Sequence, residues 1–221
     1  MDYSHDFYVN KALTLEKQFS QNKYFGTREA GLFQYIEGNI PVILSAPHTV
    51  RQIRNGTHKK ADIFTGSLGI ILQELTNCHL IYRTYTGKGD ANRDIECPYK
   101  AQLMKKITDN NILYLIDLHG MGENREFDID IGTLRGKSIE TSLEKIILNS
   151  FFSFNIKDVR FDYLFDADKE GTVTNTIWNN LSINSFQIEI NAIYRNLKVK
   201  KNHPNFLRLI RSIEQLILSL G

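Results

Sequence analysis

The chain of 221 residues is short of several things that would have pointed elsewhere. It has two cysteines, Cys78 and Cys97, which is too few for a disulfide scaffold in a chain of this length. Cys78 sits in an apolar run and reads as a buried thiol, while Cys97, beside Pro98, reads as an inert side chain. It has little net charge, +2, with Lys and Arg spread along the chain, so no general attraction to nucleic acid or to an anionic membrane follows. The N-terminal stretch MDYSHDFYVNKALTLEKQ has neither a basic start nor a continuous apolar run, so no signal peptide or membrane span is expected, and a cytoplasmic location is the default expectation. There is no Gly-rich phosphate loop and no Gly-x-Ser-x-Gly elbow, which argues against a nucleotide enzyme and a serine hydrolase. There is no internal repeat, low-complexity tract or obvious linker.

What remains is an ordinary globular composition, 42% hydrophobic and 24% charged, long enough to bury a full core without staples. One domain over 1–221 is expected. Helices are expected over 5–19, 62–76, 98–110, 138–152, 170–181 and 203–220; the last is amphipathic, with apolar residues at 206, 207, 209, 210, 213, 216, 217 and 220. Strands are expected over 31–37, 41–47, 79–84, 112–118, 126–133 and 185–191, and residues 49–61 read as a polar, basic loop. Strands alternating with helices predict an α/β fold with a mixed, mostly parallel central sheet and helices on both faces. In such sheets ligands bind at the carboxyl ends of strands.

Three apolar strands deliver polar side chains to that edge. Ser45-Ala46-Pro47-His48 ends one strand in an imidazole, a common zinc ligand in its neutral form. Ile116-Asp117-Leu118-His119-Gly120 ends another. Asp117 lies two residues before His119, on the same side of the strand, placed either to orient the imidazole or to reach a metal itself. Gln187-Ile188-Glu189-Ile190-Asn191 puts Glu189 on the polar face of a third, where a carboxylate near a metal but not on it would serve as a base. Taken singly, each has a plainer reading: a hydrogen-bonded histidine, a strand-end turn, a solvated strand face. The loop Gly89-Asp90-Ala91-Asn92-Arg93-Asp94 offers a guanidinium fork suited to a carboxylate, or is simply a polar surface loop. The third ligand of a hydrolytic zinc site is less defined, because His48 is followed three residues later by Arg51 and a His-x-x-Glu spacing is absent. Asp62 is the preferred carboxylate, against a role as a plain helix cap, and His58 is a weaker candidate.

The segments SAPHT (45–49), DANR (90–93), IDLHG (116–120), IGTLRG (131–136) and QIEIN (187–191) resemble, in their order, the N-formylglutamate amidohydrolase family, itself distantly similar to zinc carboxypeptidases. The resemblance covers roughly residues 40–195 and implies a zinc-carboxypeptidase-like fold of the phosphorylase/hydrolase-like kind. It implies one Zn2+ held by His48, Asp62 and His119, with Glu189 as the catalytic carboxylate. Asn92 and Arg93 match a pair that holds a substrate carboxylate. Arg135 is implied as a second carboxylate or oxyanion contact, and Tyr194 and Arg195 as pocket residues. The basic loop 51–60 departs from the family. The implied partner is a small acidic acyl-amino acid or peptide, with no nucleic acid and no membrane. Two other readings stay open: a peptide-processing or poly-γ-glutamate metallopeptidase whose basic loop tracks an acidic polymer, and a non-catalytic binding module on the same scaffold.

Overall fold

In the computed structural model, which describes residues 5–221, the chain opens with α1 (His5–Tyr24), kinked over Gln21–Lys23. There follow β1 (Phe33–Ile36), β2 (Val42–Ala46), β3 (Gln52–Arg54), β4 (Thr57–Lys59), α2 (Thr65–Thr76), β5 (His79–Arg83), α3 (Pro98–Asp109), β6 (Tyr114–Met121) and β7 (Ile129–Gly132). The chain closes with α4 (Thr141–Phe152), β8 (Val159–Phe161), α5 (Val173–Leu181), β9 (Asn184–Asn191), the short α6 (Ala192–Arg195) and α7 (His203–Leu220). Among the described residues no helix is long and apolar enough to cross a membrane.

Seven strands form one sheet in the order β1-β5-β2-β6-β9-β7-β8. The central four, β5, β2, β6 and β9, run parallel. β1 and β7 are antiparallel to their neighbours β5 and β9, and β8 is parallel to β7. The sheet is thus mixed and mostly parallel, buried on both faces as parallel sheets are. On one face α1, α2, α4 and α7 cover Val42, Leu44, Leu80, Ile116 and Ile188; on the other, α3 and α5 cover Ile43, Ile81 and Leu115. The alternation of Val42, Ile43 and Leu44 between the two layers is the period-two rule of a strand. α7 buries Phe206, Leu209, Ile210, Ile213, Leu216, Ile217 and Leu220, the helical stripe its sequence spacing demands.

From β2 the chain crosses to β5 on one side and then returns to β6 on the other. Connections that diverge in this way open a crevice at the carboxyl end of the sheet. Into it project the segment after β2, the β5–α3 loop and the end of β6.

Several boundaries differ from those the sequence suggests. β6 runs three residues past Leu118 because β9 pairs with it through Met121 and Asn191, so His119 and Gly120 belong to the strand. The basic stretch after His48 is no irregular loop. It folds into the β3–β4 hairpin, closed at Asn55-Gly56, both with positive φ as a tight turn requires. β8 and α6 were not anticipated; three and four residues are too few to show a period.

Candidate metal centre

His48 lies two residues beyond β2, and His119 lies within β6 with Glu189 of β9 directly beside it in register. Asp62 lies just before α2. Its carboxylate does not cap that helix: the amide of Phe64, the residue before α2, donates to Glu16 of α1 at 2.9 Å, and the Asp62 carboxylate turns into the crevice. All four side chains are buried.

The ligand atoms converge. His48 Nδ1 lies 3.2 Å from His119 Nδ1 and 3.2 Å from Asp62 Oδ2, and His119 Nδ1 lies 3.4 Å from the same oxygen. Four ligands about 2.0–2.1 Å from a tetrahedral ion stand about 3.3 Å apart, which is the separation of this triangle. Each imidazole is fixed from behind by a fully buried carboxylate: His48 Nε2 meets Asp90 Oδ1 at 2.7 Å, and His119 Nε2 meets Asp117 Oδ2 at 2.8 Å. That pairing favours the proton on Nε2 and leaves the Nδ1 lone pairs aimed at the common point, as in carboxylate–histidine–metal triads. Two buried histidines and a buried carboxylate, so oriented, fit a divalent cation by donor chemistry and by spacing. The Gly120 amide steadies Asp62 by donating to Oδ2 at 3.2 Å. A Cβ at position 120 would lie 2.3 Å from the Arg195 guanidinium carbon, so a larger residue there would displace that side chain from its backbone carbonyls.

Charges around the triangle are tuned by burial and by each other. Burial pushes the Glu189 carboxyl up to about 7, against the pull of His119. Burial opposes a charged His119, but the carboxylates of Asp117 and Asp62 overcome it and raise the ring to about 10. Asp90 is held well below the usual carboxylate range: burial would raise it, but His48 and Arg54 outweigh that.

The triangle forms the floor of a cavity of about 370 Å³. One wall is cationic. Arg54 of β3 ion-pairs with Asp90 at 2.6 Å, Lys59 of β4 places Nζ 3.0 Å from both His48 Nδ1 and Asp62 Oδ1, and Lys169 stands at the rim. The turn Leu164-Phe165 adds an apolar part to the lining. That turn is hung from buried Asp130, whose carboxylate accepts the amides of Tyr163, Leu164 and Phe165 at 2.7–3.1 Å.

The residues expected to bind substrate are placed unevenly. Asn92 lines the cavity, though its Oδ1 is taken by the Val173 amide at 2.6 Å, so only its NH2 is offered. Arg93 is half-buried and is not among the lining residues; its carbonyl is pressed against Gly171, where a Cβ would lie 1.9 Å away. Arg135 points outward, its side chain 70% exposed and tied to Asp166 at 3.1 Å, because the turn after β7 carries it over the rim in a left-handed conformation. Tyr194 is buried away from the crevice beside Asp128, and burial with that carboxylate raises its phenol. Arg195 is buried under the floor, where it donates to the carbonyls of Ile63, Met121 and Ile190 at 2.7–3.2 Å and so braces the ends of two strands. His58 is exposed and packs edge-on against Phe25. The sequence reading missed Asp90, Arg54 and Lys59. Asp90 stood within the recognised GDANR stretch, and the two cations would have emerged had the Asn-Gly turn marked residues 52–59 as a hairpin.

The architecture has solved counterparts. N-formylglutamate amidohydrolase from Ralstonia eutropha JMP134 superposes with a TM-score of 0.59 at 14% identity, over 86% of this chain and 98% of that one. The fold is shared. A bacteriophage poly-gamma-glutamate hydrolase also gives 0.59, at 16% identity over 85% of this chain and 89% of that one. A putative carboxypeptidase A from Shewanella denitrificans OS-217 gives 0.52, at 12% identity over 99% of this chain and 70% of that one. No family model matches the chain, and no curated protein matches it in sequence.

Proposed function

We propose that this chain is a zinc-dependent hydrolase of an amide bond in a carboxylate-bearing N-acyl amino acid or peptide. The observation that carries the reading is the convergence of His48 Nδ1, His119 Nδ1 and Asp62 Oδ2 beside Glu189, in a cavity that Arg54, Lys59 and Lys169 also line. The names of the fold counterparts, an amidohydrolase and a poly-gamma-glutamate hydrolase, agree with it.

His48, Asp62 and His119 would hold one ion, which when bound supplies Lewis acidity and lowers the pKa of water. Glu189 accepts the proton of the attacking water and passes it to the leaving nitrogen, a role suited to a carboxyl poised near neutrality. Asp90 and Asp117 keep both imidazoles in the required tautomer. Lys59 and Arg54 line the same cavity as the triangle. They are the groups placed to receive a substrate carboxylate or the charge developing on the carbonyl oxygen, the part the sequence reading gave to Arg135 and Arg93.

Turnover of N-acyl amino acids with and without added zinc tests the reading. Zinc-restored cleavage of the amide in the chelated protein is the expected result. A protein that binds no zinc and cleaves no amide would instead be a binding module on this scaffold.

A further inference from the structure

The cations of the β3–β4 hairpin are dealt to two cavities. Residues opposed across an antiparallel pair point to the same face, and neighbours along a strand alternate. With Gln52 opposite Lys59 and Arg54 opposite Thr57, Arg54 and Lys59 share one face. Continued by one residue at its open end, the same register puts Arg51 and Lys60 on the other. The first pair lines the metal cavity, and the second lines a neighbouring cavity of about 420 Å³, within the range of small-ligand pockets. The two cavities meet at Gly120, whose amide holds Asp62.

The charged side chains that line the second cavity are all cationic. Arg51, Lys60 and Arg195 are among its lining residues, and no carboxylate is. Arg51 is held in place by its Nε bond to the Lys23 carbonyl at 2.9 Å and by stacking over Phe25 at 5.2 Å. The Arg195 guanidinium spends its hydrogen bonds on backbone carbonyls and contributes its charge from below. Asp62, Glu189 and Glu16 lie near enough to Arg195 to offset part of that charge, whereas the lining offers Arg51 and Lys60 no carboxylate.

We propose that the cavity bounded by Arg51, Lys60 and Arg195 is a second anion subsite that takes a further carboxylate of the same substrate. The substrate is then an acidic peptide of at least two acidic residues, laid across Gly120 with one on either side, rather than a single N-acyl amino acid. This rests on the amide-hydrolase reading of the first cavity for its function, but not for binding.

The test is calorimetric binding of N-acetylated glutamate oligomers of one to four residues, α- and γ-linked, to the zinc-loaded full chain carrying Glu189→Gln to prevent turnover. Joining two subsites through one ligand raises affinity without a new type of contact. For at least one linkage, affinity should rise by about tenfold or more from one residue to three, and the rise should shrink with added salt. Arg51→Ala/Lys60→Ala should abolish the rise and leave one-residue binding within about threefold, while Lys200→Ala/Lys201→Ala, at exposed positions elsewhere, should keep it. Lys60→Glu, a single change at an exposed site, should make longer oligomers bind worse than the monomer. No length dependence in either linkage, or one that survives in the Arg51/Lys60 variant, overturns the proposal. Hydrolysis is read separately in the unsubstituted protein: a length gain without cleavage sinks the hydrolase reading and keeps the subsite, and cleavage without a length gain does the reverse.

Discussion

Replacing Asp90 with Asn removes a charge from behind the metal centre without changing its shape. The Asp90 side chain is fully buried; it meets His48 Nε2 at 2.7 Å, Arg54 Nε at 2.8 Å and the Asn92 amide at 3.0 Å. Asn retains an acceptor for the imidazole N–H but not the carboxylate that makes the ring a stronger ligand. Outer-shell carboxylates of this kind are worth about 10–100-fold in metal affinity, or about 1.4–2.7 kcal/mol. Folding should suffer less. The Arg54 partner is partly exposed and can turn to solvent, so the cost in the metal-free protein is about 1–2 kcal/mol. Zinc competition against a chromophoric chelator and denaturant unfolding with and without zinc separate the two effects. Asp166→Asn is the control: it removes a carboxylate from the same cavity that touches neither imidazole, and should change zinc affinity less than about twofold. A folded Asp90→Asn protein that binds zinc as tightly as the control would refute the reasoning.

Glu189→Gln should bind zinc within about threefold of the unsubstituted protein while kcat falls by about 10²–10⁴, as for loss of a general base; steady-state kinetics on metal-quantified samples check both. Arg135→Ala should leave kcat/KM within about twofold and stability within about 0.5 kcal/mol, since its side chain is 70% exposed and, although it pairs with Asp166 at the cavity edge, does not itself line the cavity; a larger loss in kcat/KM would return it to the substrate site. Metal-free protein should be less stable at pH 8 than at pH 6. Glu189, raised from 4.5 to about 7, binds its proton more tightly folded than unfolded and loses that advantage as pH climbs through this window. His119, raised from 6.5 to about 10, contributes stability below 6.5 that is lost above it, so both slopes are downward. The loss should be on the order of 2 kcal/mol by urea unfolding in chelator, and a rise in stability over that range would contradict the assigned environments.

Much of this arrangement is legible in the chain because strand ends carry their own signal. The runs before His48 and His119 are buried on both faces, as central parallel strands are, and mostly apolar, so the histidine that ends each run stands out against them. Glu189 is visible for a similar reason, as a charge between Ile188 and Ile190 in a strand buried from Ser185 to Asn191. The distal positions were harder. Whether Arg195 faces the crevice or the floor depends on the four-residue helix that follows β9, and Arg135 depends on a left-handed turn; neither has a periodic signature. Asp90 reads as one more polar residue in a polar loop until His48 and Arg54 are brought to it from elsewhere in the chain. Ligand identity follows local pattern, whereas the groups that orient ligands and read substrate are set by tertiary contacts.

The most direct measurement is a crystal of the zinc-loaded protein with data collected on either side of the zinc absorption edge. One anomalous peak is predicted about 2.0–2.2 Å from His48 Nδ1, His119 Nδ1 and Asp62 Oδ2, and absent from His119→Ala crystals. No peak at this triangle, or zinc bound elsewhere with equal occupancy in both proteins, would contradict the assignment of the centre.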